Sequence, residues 1–279
     1  LETAEVRMYA FESRVRYSEI GADGKLTPEK LIDYFQDCST FQSEDNGLGV
    51  ERLRRHGLAW IIVYWRVEVL RMPVLGEQVR IGTLPYAMKG SIGLRNFFME
   101  TAGGERLANA NSVWSLVDTS TMHPVRIPEE ILAGYPLEER LQMQYDARKI
   151  RLPDQSGRPM EPIRVQEYHL DTNRHVNNGQ YVRMAAGFLP PHTEVSVLRI
   201  EYRQQALLGD IIQPVVYTRS EQNKGLTSGG ADEAADGNRD GKNTRLMTAE
   251  NSFGEAAQTV CIALNAKDGR PYAILEAIF

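Results

Sequence analysis

Residues 66–79 read "RVEVLRMPVLGEQV", and 133 positions later residues 199–212 read "RIEYRQQALLGDII". The two segments share an arginine, a glutamate two residues after it, and a Leu-Gly-acid turn. A second match pairs "WSLVDTSTMHP" (114–124) with "CIALNAKDGRP" (261–271), now 147 positions apart. Self-similarity of this kind indicates an internal repeat, and the growth of the offset predicts an insertion in the second copy.

The insertion is expected at residues 223–244, "NKGLTSGGADEAADGNRDGKNT". This stretch is rich in Gly, Asp and Asn and poor in apolar residues, so the sequence predicts a mobile loop between strands.

Each copy predicts a short strand, a helix and then several strands. In the first copy Thr27 is an N-cap candidate followed by Pro28 at the first helical position. Helical spacing of apolar residues continues in both copies, and Pro190 and Pro191 end the second pattern. The apolar positions are Leu31, Tyr34, Phe35, Cys38 and Phe41 in the first copy, and Val182, Ala185, Ala186 and Leu189 in the second.

Strand patterns fill the remainder of both copies. They comprise "FESRVRYSEI", "AWIIVYWRVEVL", "QVRIGTLPYAM", "IGLRNFFMET" and "RLANANSVWSLVD" in the first, and "IRVQEYHL", "VSVLRIEYRQ", "IIQPVVYTRS", "RLMTAENSF" and "AAQTVCIALN" in the second. One helix with a run of antiparallel strands predicts an α+β fold in which the helix packs on a curved sheet. We expect repeats at residues 1–136 and 161–279, joined by a polar linker at 137–160.

Composition narrows the functional class. The chain has 279 residues and a formal net charge of −5, which gives no general electrostatic support for nucleic-acid binding. The two cysteines are too far apart along the chain to indicate a disulfide framework, and no CxxC motif occurs. Cys38 is expected in the core. The longest apolar run, residues 58–65, is too short to span a bilayer. The two unpaired cysteines fit a reducing compartment and no signal peptide is visible; a cytoplasmic location is expected.

A polar run, "DTNRHVNNGQYV" at residues 171–182, precedes the second helix. Asp171, Asn173 and His175 alternate, so an extended backbone would put all three on one face. Such residues before a helix are often only caps and turn formers. The first copy, however, has Gly21, Asp23 and Lys25 at the matching positions. A purely structural need would apply to both copies, so the triplet favours catalysis.

The chain resembles the acyl-acyl-carrier-protein (acyl-ACP) thioesterases, the bacterial relatives of plant plastid enzymes. The resemblance rests on "YSEIGADGKLTPEKLIDYFQD", "GLAWIIVYWRVEVLRMPVLGEQVRI", "DTNRHVNNGQYV" and "RIEYRQQALLGD", in the family's order. It implies two tandem hotdog repeats in one chain. It also implies that Asp171, Asn173 and His175 are catalytic. The plant enzymes carry Glu-Cys where this chain has Gln205 and Ala206, so Gln205 is a candidate for positioning water and no cysteine nucleophile is expected.

The resemblance implies hydrolysis of an acyl thioester without cofactor or metal, releasing free fatty acid and ending chain elongation. A histidine with a reference pKa of about 6.5 suits activation of water, which assigns that role to His175. Asn173 would orient the water or the carbonyl, and Asp171 would fix the imidazole tautomer or order the segment. Backbone N–H groups at the start of the following helix would polarise the carbonyl oxygen.

Alternatives remain open at this stage. One is an acyl-CoA thioesterase of the same fold, and another is a non-catalytic acyl-chain binder; a hotdog dehydratase is disfavoured by the polar triplet. The expected partner is an acyl carrier protein, and the chain is expected to be a monomer or a homodimer. Docking of that acidic partner has two candidate basic clusters, Arg52, Arg54, Arg55 and His56, or Lys149, Arg151, Arg158 and Arg164.

The aromatic residues also have two interpretations. Tyr34, Phe35 and Phe41 are expected to pack on their own sheet, with lining of an acyl tunnel as the alternative. The three tryptophans are expected in the core rather than at a ligand; they are Trp60, Trp65 and Trp114.

Overall fold

A computed structural model describes residues 8–191, 193–220 and 258–279. The helices of this part of the chain are α1 (Pro28–Asp45), α2 (Val50–Arg55), α3 (Glu129–Ala133) and α4 (Asn178–Ala186). The strands are β1 (Tyr9–Arg14), β2 (Leu58–Val69), β3 (Gln78–Lys89), β4 (Ile92–Thr101), β5 (Arg106–Asp118), β6 (Arg158–Pro159), β7 (Ile163–Arg164), β8 (Val197–Tyr202), β9 (Ile211–Ser220), β10 (Gln258–Asn265) and β11 (Pro271–Ile278).

The strands form one eleven-stranded antiparallel sheet in the order β1-β3-β4-β5-β2-β8-β11-β10-β9-β6, with β7 also paired to β9. The order is the same when read outward in either direction from the β2–β8 boundary. The half that contains β1–β5 carries the long helix α1, and the half that contains β6–β11 carries the shorter helix α4. The predicted α+β architecture of two tandem hotdog repeats is therefore confirmed.

A pseudo-twofold axis passes between β2 and β8. Arg66 and Arg199, which occupy equivalent positions in the two repeats, lie directly opposite each other in the antiparallel pair. Residues directly opposite in such a pair are related by a local twofold. Both guanidinium groups contact the carboxylate of Asp146, and Arg199 Nε lies 3.3 Å from it. The two repeats thus join through one continuous sheet with a shared ion-pair network at its centre.

The sheet order corrects one of the sequence matches. β10 occupies the place of β4 in its repeat, whereas β11 occupies the place of β5. The pairing of residues 114–124, at the end of β5, with residues 261–271, at the end of β10, is therefore wrong. The match arose because both segments run from a strand into a turn and have similar compositions. The expected insertion falls between β9 and β10, where the first repeat has a tight β3–β4 turn. Residues 223–244 and the strand predicted at 245–253 lie outside the described residues.

The start of α1 agrees with the sequence pattern, and the end of α4 does not. α1 begins at Pro28 after the N-cap Thr27, as predicted. α4 ends at Ala186, three residues before the predicted Leu189. Gly187, a weak helix former, follows it, and the N–H groups of Phe188 and Leu189 bond three residues back in a tightened last turn.

The core lies between the sheet and the helices α1 and α4, which pack on it. Leu31, Phe35 and Cys38 of α1 are buried there with Trp65 and Phe97. The ring centroids of Phe35 and Phe97 are 5.5 Å apart, and those of Trp65 and Phe97 are 5.0 Å apart. The prediction that Cys38 belongs to the core is confirmed.

The segment between the repeats is tied to both of them. The N–H of Leu141 and the hydroxyl of Tyr145 donate to Asn96 Oδ1 at 3.0 and 2.9 Å. Further along, the N–H of Ile150 donates to Glu201 Oε2 at 2.8 Å. These bonds satisfy side chains on β4 and β8, one from each repeat. Among the described helices, none has the length and apolar character needed to cross a membrane.

Candidate active site

The polar run at residues 171–177 forms a tight turn rather than the extended strand predicted from its alternation. Leu170 and Val176 pair as an antiparallel bridge that closes the turn. Arg174 adopts a left-handed conformation with φ of 66°, which reverses the chain direction. The expectation of one shared strand face is therefore wrong, and proximity within one turn brings Asp171, Asn173 and His175 together.

The carboxylate of Asp171 holds this turn. Asp171 Oδ1 accepts hydrogen bonds from the backbone N–H groups of Asn173 and His175 at 2.8 and 3.1 Å. The N–H of Asp171 donates in turn to the carbonyl of His175 at 2.8 Å. Of the two roles considered for Asp171, these contacts support ordering of the segment, since both donors are backbone groups.

The first repeat builds the same turn from different residues. The N–H of Gly21 donates to the carbonyl of Lys25 at 2.9 Å, and Gly24 has φ of 75°. Lys25 stands where His175 stands in the second repeat, and its ammonium group forms an ion pair with Glu194. The backbone geometry is common to both repeats, whereas the polar triplet is present in one.

A cavity of about 420 Å³ opens beside the turn of the second repeat. This is within the usual range for small-molecule sites, about 300–1,000 Å³. One wall is polar and comes from α1, with Gln36, Ser39, Thr40 and Ser43. The facing wall is largely apolar and includes Leu53, Leu58, Trp60, Met88, Leu94 and Trp114. The cavity therefore lies in the first repeat, and the second repeat supplies one end of it.

The predicted site residues divide into two groups. Asp171 and Asn173 line the cavity. His175 is half-buried in the same turn and does not line it, and its backbone forms a bridge with Leu207. Gln205 precedes Leu207 by two residues on that adjoining segment, but it is exposed and outside the cavity lining.

The aromatic residues divide between the core and the cavity wall. Trp65 is fully buried in the core as predicted. Trp60 and Trp114 pack against the core clusters and also line the cavity, so their assignment to the core rather than to a ligand stays a prediction. Tyr34 and Phe35 are buried against the sheet and do not line it. α1 presents its polar residues to the cavity because its apolar stripe is already used by its own sheet.

Sequence reasoning missed a contact between the two repeats. Asn178, the first residue of α4, donates through Nδ2 to Gln36 Oε1 on α1 at 3.1 Å. The carbonyl of Asn178 accepts from the hydroxyl of Tyr202 at 3.1 Å. The preceding residue, Asn177, caps α4 by accepting the N–H of Gly179 at 2.8 Å. The paired asparagines are recognisable in the sequence. Nothing in the sequence connects them with Gln36, which lies 142 residues away along the chain from Asn178.

A buried cation also faces the cavity. Arg95 on β4 is 7% exposed, donates to Thr83 Oγ1 at 3.2 Å and to Gln42 Oε1, and lies over the ring of Tyr135. No carboxylate of the described residues pairs with it. Burial lowers the pKa of the Arg95 guanidinium to about 10, so it remains charged at neutral pH.

The two cysteines are unsuited to nucleophilic attack. Cys38 and Cys261 are both buried. Burial raises the pKa of each thiol to about 12, where Asp37 and Glu276 respectively add to the effect. The reactive thiolate form is therefore negligible at neutral pH, and neither sulfur lines the cavity.

The family comparison matches both repeats. The family model described as the acyl-ACP thioesterase N-terminal domain matches residues 7–135, and the C-terminal domain model of the same family matches residues 154–252.

Two curated plant proteins are each similar to the chain at about one quarter sequence identity. The chain is 24% identical over 254 residues to oleoyl-acyl carrier protein thioesterase 1 of Arabidopsis thaliana, covering 84% of this chain and 69% of that protein. It is 25% identical over 228 residues to the acyl-[acyl-carrier-protein] hydrolase FATB1 of Cuphea viscosissima, covering 76% and 54%. The chain thus spans only about half the length of the latter relative.

Solved structures share the fold. The acyl-ACP thioesterase from Bacteroides thetaiotaomicron superposes with a TM-score of 0.75 at 16% identity, covering 97% of this chain and 96% of that one. The 12:0-ACP thioesterase from Umbellularia californica superposes with a TM-score of 0.74 at 18% identity, covering 97% and 93%. At these identities the likeness establishes the double hotdog architecture.

Proposed function

Because the chain belongs to the acyl-ACP thioesterase family, we propose that it hydrolyses the thioester between an acyl chain and acyl carrier protein. The products are a free fatty acid and the carrier thiol, so the reaction ends chain elongation in fatty acid biosynthesis. The observation that carries the proposal is that Asp171 and Asn173, from the same turn as His175, line one end of a cavity with a largely apolar wall.

The proposed chemistry follows from this turn. His175 accepts a proton from water, which attacks the carbonyl carbon of the thioester, and later returns the proton to the departing thiolate. Asn173 lines the cavity and orients the water or the carbonyl group. Asp171 keeps both residues in place through the two backbone hydrogen bonds described above. Gln205 is exposed outside the cavity lining, so its role in positioning water stays a prediction.

The acyl chain is assigned to the cavity wall formed by the first repeat. Trp60 and Trp114 provide apolar surface there, and burial of each methylene group on such surface contributes about 0.8 kcal/mol. The start of α4 is turned toward the same cavity through Asn177 and Asn178. Helix N-terminal N–H groups favour developing negative charge on the carbonyl oxygen.

The proposed partner is an acyl carrier protein, docked beside the cavity. Arg54 of α2 lines the cavity and is exposed, so it is the candidate docking cation that adjoins the proposed acyl site. We further propose a cytoplasmic location, supported by the two free thiols of Cys38 and Cys261. A monomer or a homodimer is proposed, since two hotdog units already pair within one chain.

Thiol release from acyl-ACP tests the function directly. We expect turnover by the natural chain and a loss of at least about a hundredfold in kcat for His175→Ala, as expected for removal of a general base. The matched control is His123→Ala, which changes an exposed histidine outside the cavity and should retain full turnover. Faster release from acyl-CoA than from acyl-ACP would assign the acyl-CoA activity instead. Binding without turnover of either substrate would indicate an acyl-chain binder.

A further inference from the structure

The two central helices meet at the candidate active site. Gln36 on α1 and Asn178 on α4 both line the cavity, and their side-chain amides are joined by the 3.1 Å hydrogen bond described above. The two helices are tightly packed at Gly179, where an added Cβ would lie 2.4 Å from Asp33 Oδ1. Gln36 is therefore held from the first repeat against the N-terminus of the second repeat's helix.

This bond determines which end of the Gln36 amide is left for a ligand. Gln36 Oε1 is occupied by the Asn178 donor. Its Nε2 carries two N–H groups, and no side chain or carbonyl of the described residues accepts from it. The backbone N–H of Asn178 is likewise unpaired within the described part of the chain. Two donors are thus left at the same end of α4, beside Asn173.

The side-chain bond between Asn178 of α4 and Gln36 of α1 has no counterpart at the symmetry-related contact, where the start of α1 meets α4. The equivalents of Asn178 and Gln36, 150 positions away, are Pro28 and Ala186. Neither of these can form a side-chain hydrogen bond. Tyr202, which bonds to the carbonyl of Asn178, is replaced by Val69 in the first repeat. A bond needed only to pack the two helices would be expected at both junctions, and this one occurs where the Asp171–His175 turn lies.

We propose that Gln36 is a catalytic residue of the site carried by the second repeat, donating through Nε2 to the carbonyl oxygen of the bound thioester. This inference rests on the proposed function. As water adds to the carbonyl carbon, His175 takes its proton and the π electrons move onto the oxygen. The Gln36 Nε2 and Asn178 N–H donors stabilise that negative charge. The carbonyl then re-forms, the C–S bond breaks, and the thiolate takes the proton back from His175, leaving acid and thiol.

Two substitutions at Gln36 separate donation from helix packing. Gln36→Glu retains an acceptor for Asn178 but replaces the donor with a carboxylate, whereas Gln36→Leu removes both. We expect each to lower kcat and kcat/KM for acyl-ACP by the same factor, about a hundredfold, as for loss of one oxyanion donor. The matched control is Gln155→Glu, an exposed glutamine outside the cavity, with turnover expected to equal that of the natural chain.

A pH series adds a readout that a packing role would not change. Once protonated, the carboxyl group introduced by Gln36→Glu could again donate a hydrogen bond. The activity of this variant relative to the natural chain should therefore rise as pH falls toward about 4.3, the reference pKa of glutamate. Dividing by the activity of the natural chain removes any pH dependence that the two proteins share.

The outcomes distinguish this inference from the proposed function. If the natural chain releases no thiol from acyl-ACP, the proposed function fails. If it does, and Gln36→Glu keeps full kcat, the oxyanion role is refuted while the function stands. Two further results would overturn the oxyanion role in favour of helix packing. One is a higher KM at unchanged kcat. The other is a lower kcat whose ratio to that of the natural chain changes with pH in the same way for Gln36→Glu and Gln36→Leu.

Discussion

The carboxylate of Asp171 accepts the backbone N–H of His175 at 3.1 Å, four residues along the chain. It accepts the N–H of Asn173 with the same oxygen at 2.8 Å. Asp171 therefore fixes the backbone of the turn on which both proposed catalytic side chains are mounted. Its contribution to catalysis is expected to be indirect, through the position of His175.

Replacement of Asp171 tests this role. Asp171→Ala removes the acceptor of two backbone N–H groups and so loosens the turn, which should lower kcat by about tenfold or more. Asp171→Asn retains an oxygen acceptor and should keep most of the activity. If both variants lose activity equally, the charge of Asp171 matters and the ordering role is insufficient. Asp23→Ala is the matched control, since Asp23 Oδ1 accepts the N–H of Lys25 in the inactive turn.

One active site per chain is expected from the difference between the two turns. Lys25 replaces His175 in the first repeat and is paired with Glu194, so this turn has no histidine to activate water. Lys25→Ala should leave kcat nearly unchanged, because the Lys25–Glu194 ion pair is exposed and screened by solvent and lies in the turn without the histidine. Titration of the chain with a tight-binding acyl analogue should give one site, and a stoichiometry of two would contradict the assignment.

Neither cysteine should take part in turnover. The pKa of both thiols is raised to about 12, so thiol-alkylating reagents at neutral pH should leave activity intact. The same shifts affect stability. The unfolded thiols, with a pKa of about 8.5, lose protons before the folded ones, so stability should fall as pH rises from about 8.5 toward 12. Chemical denaturation of the natural chain and of Cys38→Ala across this range checks the slope, which should be shallower in the variant.

The architecture was accessible from the sequence because it rests on local periodicity and on the repeat. Thr27 and Pro28 predicted the start of α1 correctly. The alternation of Asp171, Asn173 and His175 was misleading, because a period of two over five residues is shared by a strand and by some turns. The signal that would have corrected it stands in the first repeat, where Asp23-Gly24 is a turn dipeptide at the matching position.

The cavity could not be found from local pattern. Gln36, Thr40 and Ser43 form a polar stripe at helical spacing, which ordinarily indicates a solvent-exposed face. The stripe faces a cavity because Asn173 and Asn178, from the other repeat, cover one end of it. That contact depends on how the repeats pair across β2 and β8, which no segment of either repeat specifies alone.

The buried charge of Arg95 should limit acyl-chain length. A guanidinium with no carboxylate partner among the described residues disfavours apolar groups beside it, since they would displace its remaining solvation. Arg95→Met keeps a similar length without the charge. We expect it to raise kcat/KM for longer relative to shorter chains, by roughly fourfold for each further methylene buried, equivalent to about 0.8 kcal/mol.

The matched control for chain length is Arg95→Lys, which keeps the positive charge and should keep the original order of preference. Both variants are compared with the natural chain over a series of saturated acyl-ACP substrates, with the melting temperature recorded for each. An unchanged order of preference in a folded Arg95→Met variant would contradict the prediction.

The carrier protein should be recognised by local positive charge, because the net charge of the chain, −5, opposes attraction to an acidic partner. Arg54 and Arg55 lie on α2, and the exposed Arg54 borders the cavity. Exposed charges are screened over about 8 Å at physiological ionic strength. Values of kcat/KM should therefore fall with added salt more steeply for acyl-ACP than for acyl-CoA of the same chain length.

Reversing both arginines to glutamate should raise KM for acyl-ACP and change acyl-CoA hydrolysis much less. The control is Arg270→Glu, at an exposed residue paired with Asp268 outside the cavity, which should leave both substrates unaffected. Equal salt slopes for the two substrates, with equal or faster turnover of acyl-CoA, would assign CoA as the natural carrier.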